Sequence, residues 1–161
     1  MHRKRAARVL IADDHRLVAE TCKSVLEPEF EILGVHTDGR SLVQAALSLR
    51  PDLVLLDIGM PQLNGLDAGE QIKAKLTRVK LVFLTVNVAP DVVAEAFRRG
   101  ASAYVLKQSA AEVLLTALRK VLRTKAFFDK HEPIFRRITA EWARENPEYD
   151  MWGVIDPEPS N

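Results

Sequence analysis

The sequence predicts an α/β fold with a doubly wound parallel sheet covered on both faces. Three observations carry this. Short apolar runs alternate with stretches of helical spacing, joined by short links, which implies right-handed crossovers and one parallel sheet. The run Leu53-Val54-Leu55-Leu56 has no polar alternation, as suits a strand buried on both faces. Successive runs end at polar residues: Asp13-Asp14, Asp57, Thr85 and Lys107.

Val9 to Ala12 is the first predicted strand. From His15 to Glu27, Val18, Cys22, Val25 and Leu26 keep helical spacing, and Pro28 ends the helix. Phe30 to His36 is the second strand. Asp38-Gly39 turns the chain, and Ser41 is placed to cap a helix carrying Leu42, Ala45, Ala46 and Leu49. Pro51-Asp52 launches the third strand, which stops at Asp57 before a Gly59-Met60-Pro61 turn. Asn64-Gly65 precedes a helix through about Leu76. Lys80 to Val86 contains the fourth strand, ending at Thr85. Pro90 suits the first turn of a helix that ends at Gly100. Ala103 to Leu106 is the fifth strand, ending at Lys107. Ser109 is placed to cap a last helix that buries Val113, Leu114, Ala117, Leu118, Val121 and Leu122.

Composition limits the function classes. The chain has 161 residues, of which 47% are hydrophobic, enough for one full core. The net charge of +1 gives no global case for a nucleic-acid partner. Cys22 is the only cysteine, which excludes an intrachain disulfide and fits a reducing compartment. The basic N-terminus leads into an apolar run too short for a signal-peptide core. No stretch approaches the roughly 20 apolar residues of a membrane span. The expected location is cytoplasmic.

In a parallel sheet the strand ends share one edge, so Asp13, Asp14, Asp57, Thr85 and Lys107 should converge. Three carboxylates together need a counter-charge. Mg²⁺ supplies one and prefers oxygen ligands. Lys107 adds an ammonium and Thr85 a hydroxyl. The set suits a phosphoryl group attacked by a carboxylate. Each residue also has an ordinary role: Asp13 and Asp14 as helix caps, Thr85 as a strand residue, Lys107 as a solvated lysine. The joint placement at the ends of four strands favours the site.

Asp13-Asp14, Asp57 with Gly59-Met60-Pro61, Asn64-Gly65-Leu66, Thr85 and Lys107 resemble the receiver domain of two-component response regulators. Arg98 to Lys107 is similar to that family's segment from its fourth helix to its fifth strand. Ala12-Asp13-Asp14-His15, with Val86 after Thr85, is similar to the NarL/FixJ type. The resemblance covers about residues 8–122.

The resemblance implies a flavodoxin-like sheet in the order 2-1-3-4-5. It implies that Asp57 accepts a phosphoryl group from a sensor histidine kinase in a Mg²⁺-dependent reaction. Asp14, Asp57 and the Gly59 carbonyl would hold the metal, with Asp13 acting through water. Lys107 would pair with the phosphoryl oxygens. Thr85 would turn in to bond the phosphoryl group, and Tyr104 would follow as the switch residue. Such a domain is no enzyme beyond self-catalysed phosphotransfer and dephosphorylation. Two positions depart from the family pattern: Val86, where many receivers have a smaller residue, and Gln108, where many have proline.

The expected domains are a receiver over 1–123 and a helical extension and tail over 124–161. Glu132-Pro133 opens a predicted helix with Ile134, Phe135, Ile138 and Trp142 on one stripe. This stripe covers the chain's own domain, or meets a second copy or a downstream protein, in place of direct DNA binding. Competing readings are a truncated NarL/FixJ-type DNA-binding regulator, an unphosphorylated scaffold and a metal-dependent phosphohydrolase. The last would need a second acid close after Asp57, where Ile58 and Gly59 stand. A dinucleotide-binding domain is excluded because Asp-Asp-His-Arg, not glycine, follows the first strand.

Overall fold

In the computed structural model, residues 5–86, 89–123 and 127–128 are described. The elements run β1 (Arg8–Ala12), α1 (Arg16–Leu26), β2 (Glu31–His36), α2 (Gly39–Leu49), β3 (Leu53–Asp57), α3 (Gly65–Lys75), β4 (Lys80–Thr85), α4 (Pro90–Arg98), β5 (Ala101–Leu106), α5 (Ala110–Val121) and β6 (Phe127–Phe128). All strand pairings are parallel, in the order β2-β1-β3-β4-β5-β6. The predicted order 2-1-3-4-5 therefore holds. The two-residue β6 is an addition: it pairs beside Ala103 and Tyr104 and covers part of an edge that would otherwise expose unpaired backbone groups.

The strands obey their period of two. Val9, Ile11, Leu53, Leu55, Val82, Leu84, Ala103 and Val105 face α1 and α5, where Ala19, Cys22, Leu26, Leu114 and Leu118 cover them. Leu10, Ala12, Val54, Leu56, Leu81, Phe83, Tyr104 and Leu106 face the other layer, against Leu42, Ile72, Val93 and Phe97. Both faces are buried, which is why β3 reads as an unbroken apolar run.

Local chemistry sets the helix ends. Asp38, not Ser41, is the N-cap of α2. Its carboxylate accepts from the Ser41 backbone N–H and hydroxyl, because the chain turns helical already at Gly39. The Asn64 side chain caps α3 by accepting from the Asp67 N–H at 2.9 Å. Pro90 opens α4, and Gly100 follows it with φ 105°. Ser109 stands before α5 but makes no side-chain cap, since a 3-10 turn over Lys107–Ser109 intervenes. The fifth strand starts at Ala101, two residues before its predicted start. The predicted stripe of Ile134, Phe135, Ile138 and Trp142 lies outside the described residues.

Candidate functional site

The two-residue alternation sorts the polar strand ends before any side chain is placed. Asp57 continues the phase of Leu53 and Leu55, and Lys107 that of Ala103 and Val105, so both belong to the α1/α5 side. Asp13, in phase with Val9 and Ile11, joins them. Thr85 continues the phase of Leu81 and Phe83, on the layer where Tyr104 lies. The site thus has two neighbouring sets at one edge of the sheet, a charged one and a hydroxyl one.

In the charged set, Lys107 Nζ lies 3.0 Å from Asp13 Oδ2 and 3.1 Å from Asp57 Oδ2. It is also 3.1 Å from Asp13 Oδ1 and 2.9 Å from His15 Nδ1. Asp13 and Asp57 are buried, whereas Asp14 and His15 are exposed. The Asp13 Oδ1 also accepts from the His15 backbone N–H at 2.8 Å, which fixes the turn into α1. Asp57 Oδ1 accepts from the Gly59 N–H at 3.3 Å. Oδ2 of Asp13 is buried and, despite the nearby ammonium, has no aligned hydrogen bond among the described residues.

One ammonium shared by two buried carboxylates explains the electrostatics. Burial, and then the Asp13 charge, raise the Asp57 carboxyl above its ordinary value of 3.8, with Lys107 and the Gly59 N–H opposing them. Burial alone would lower the Lys107 ammonium. Its hydrogen bonds to Asp13 and Asp57, and their charges, outweigh that and hold it above 10.5. Burial, with the Asp13 charge behind it, pushes the Cys22 thiol under this cluster up to about 12.

Gly65 shows how tightly β3 and α3 hold the acceptor. Its N–H donates to the Ile58 carbonyl at 2.7 Å, and a Cβ on it would sit 1.9 Å from the Asp57 carbonyl oxygen. Gly59 is exposed, with nothing within 4 Å of where its Cβ would stand, so the mouth beside Asp57 is open. Val86 is 77% exposed just after β4.

In the hydroxyl set, Thr85 is buried and shares a hydrogen bond with the phenol of Tyr104, itself fully buried. Burial pushes that phenol up to about 12, with the Thr85 bond opposing. The ring expected to move inward on switching is already inside.

The donors fit a divalent cation. One ligand atom from each of Asp13, Asp14, His15 and Asp57 can be chosen so that all four lie within 4.8 Å of one another. Three are hard carboxylates, and the hydrogen-bond capacity left on Asp13 Oδ2 is what a cation would use. The strand-end pattern of the sequence points to each of these residues except His15. Its only signal there is that it directly follows the paired aspartates. A cavity of about 390 Å³ at the opposite ends of the strands, lined by Arg50, Asp52, Lys75, Arg78 and Lys80, contains none of these groups.

Comparison with known proteins agrees with this geometry. The family described as "Response regulator receiver domain" matches residues 9–119. The chain is 32% identical over 138 residues to the transcriptional regulatory protein DegU of Brevibacillus brevis, covering 84% of this chain and 58% of that one. It is 32% identical over 124 residues to the response regulator protein VraR of Staphylococcus aureus, covering 76% and 59%. The chain thus spans under two thirds of the length of these curated relatives. In fold it is similar to the isolated REC domain of RcsB from Salmonella enterica serovar Typhimurium, solved with the phosphomimetic BeF3-, with a TM-score of 0.74 and 24% identity over 83% of this chain and 99% of that one. It is also similar to a LuxR-family DNA-binding response regulator from Staphylococcus aureus, with a TM-score of 0.69 and 27% identity over 72% and 98%.

Proposed function

Because the chain belongs to the response regulator receiver family, we propose that Asp57 is the acceptor of a phosphoryl group passed from the phosphohistidine of a sensor histidine kinase. The observation that carries this is the Asp57 carboxylate, buried at the end of β3 and only 3.1 Å from the Lys107 ammonium.

The chemistry follows from what each group can do. A carboxylate oxygen of Asp57 attacks phosphorus. A phosphorus–oxygen bond forms as the donor's phosphorus–nitrogen bond breaks, and the electron pair stays on the donor imidazole. Lys107, held between Asp13 and Asp57, is placed to neutralise a phosphoryl oxygen. Thr85 carries a hydroxyl that can donate to another. Mg²⁺ bound by Asp13, Asp14, Asp57 and the Gly59 carbonyl would neutralise the negative charge gathered by carboxylates and phosphate. The layout of the surface supports the approach of a partner: Leu17, 79% exposed, rims a cavity of about 200 Å³ with Val18, Lys107 and Ala111.

Turnover of small substrates is not part of this reading, because Asp57 has no second acid next to it in sequence. The output is a protein contact, with a downstream protein or a second copy, on the face of α4, β5 and α5. The location is cytoplasmic. Incubation with a small phosphoryl donor should add one phosphate only with Mg²⁺, and hydroxylamine should remove it. Failure to label, or a hydroxylamine-resistant ester, would overturn the proposal.

A further inference from the structure

His15 is the member of the cluster that the phosphoryl chemistry leaves without a task. Its side chain is 65% exposed, yet Nδ1 faces inward, 3.2 Å from Oδ1 of Asp13 and 3.2 Å from Oδ1 of Asp14. It is 2.9 Å from Lys107 Nζ. An ammonium has hydrogens to donate and no lone pair. The contact with Lys107 is met when the Nδ1 lone pair is aimed into the site, and those with Asp13 and Asp14 when Nδ1 carries the ring proton. In either case Nδ1 is the ring nitrogen that faces the acidic cluster, and imidazole nitrogen is a common metal ligand.

Lys107 serves as a stand-in cation. Its three N–H groups meet three residues: Asp13, Asp57 and His15. A positive charge at this point is already met by nitrogen as well as oxygen. The spacings agree. In an octahedron with bonds of roughly 2.1 Å, adjacent ligand atoms lie roughly 3 Å apart and opposite ones roughly 4.2 Å. His15 Nδ1 stands 3.2 Å from the Asp13 and Asp14 oxygens and 4.0 Å from Oδ2 of Asp57. It relates to the first two as a neighbour and to the third as the opposite corner.

Ligand chemistry then sets the preference. Mg²⁺ is hard and gains little from an imidazole in place of oxygen. Divalent ions from Mn²⁺ to Zn²⁺ accept imidazole readily. We infer that His15 Nδ1 is a further protein ligand of the acidic site, tuning this chain towards a borderline transition-metal ion over Mg²⁺. The inference rests on the acidic cluster being a divalent-cation site.

The test is calorimetric titration of the untagged full chain with Co²⁺ and, separately, Mg²⁺, in wild type, His15→Ala and Asp57→Asn. The His15 ring is mostly exposed, so its removal leaves the core intact. The ratio of Co²⁺ to Mg²⁺ affinity should fall by roughly tenfold or more in His15→Ala, the scale that even outer-shell partners of a metal command. The visible absorption of bound Co²⁺ should shift with the loss of its nitrogen ligand. Asp57→Asn should weaken both ions, which places both at this site. An unchanged ratio and spectrum in His15→Ala would overturn the inference and leave the cation site standing. Absence of binding by either ion in wild type would overturn both.

Discussion

Oδ2 of Asp57 lies 3.1 Å from Nζ of Lys107. That ammonium is shared with Asp13, so among the described residues two buried carboxylates share one ammonium. The unmodified site is therefore short of positive charge, which draws in a cation and gives the phosphoryl group a place among neutralising groups. The shortage also has consequences for stability.

Asp57 has its carboxyl raised by burial and by Asp13, so its ionised form opposes folding. The folded state holds the Asp57 proton to higher pH than the unfolded chain does, and stability falls as pH rises from about 3.8 through the folded value. Asp57→Asn should therefore melt higher than wild type at pH 7 without divalent ions, and the gap should close towards pH 4. Thermal melts across that range check this. A variant less stable than wild type at pH 7 would contradict it.

Lys107→Met removes the shared ammonium and leaves Asp13 and Asp57 facing each other. Breaking a buried pair by deleting one partner costs about 3–5 kcal/mol. Urea unfolding at neutral pH should show a loss approaching that size. Added Mg²⁺ should restore part of it, as a ligand of the folded state does. Equal stability with and without the lysine would refute the charge balance.

Gly65→Ala would put a Cβ 1.9 Å from the Asp57 carbonyl oxygen, so β3 and α3 must part. Overpacking of this kind costs about 1–3 kcal/mol. The acceptor sits on the displaced strand, so labelling of Asp57 should slow as well. A variant with wild-type melting and labelling would show that the contact is soft.

Thr85 and Tyr104 are already bonded to each other. The signal must then come from a change of partner at the Thr85 hydroxyl, with the Tyr104 ring starting from inside. Thr85→Ala should still take up phosphate. NMR should show that α4, β5 and α5 no longer respond to it. A full response in the variant would exclude this route.

The strand ends were legible because they depend on few physical facts: apolar runs mark parallel strands, and parallel strands end on one edge. The same reading could have divided Asp13, Asp57 and Lys107 from Thr85 and Tyr104, since alternation along each strand assigns the face. Other features have no such signal. The two residues of β6 are too short to show a period, and they form by pairing with the β5 edge. The inward Tyr104 depends on the packing of its layer. His15 reads as a helix start, and only the three-dimensional placement of Lys107 shows where Nδ1 faces. Asp38 took the cap assigned to Ser41 because either residue suits an N-cap, and the backbone decided between them.

The central claim is that Asp57 itself forms the acyl phosphate. Intact-mass spectrometry after incubation with a small phosphoryl donor and Mg²⁺ tests it directly, with wild type beside Asp57→Asn. The wild type should gain one phosphate and Asp57→Asn none. Equal labelling of the two proteins would place the phosphate elsewhere and contradict the account.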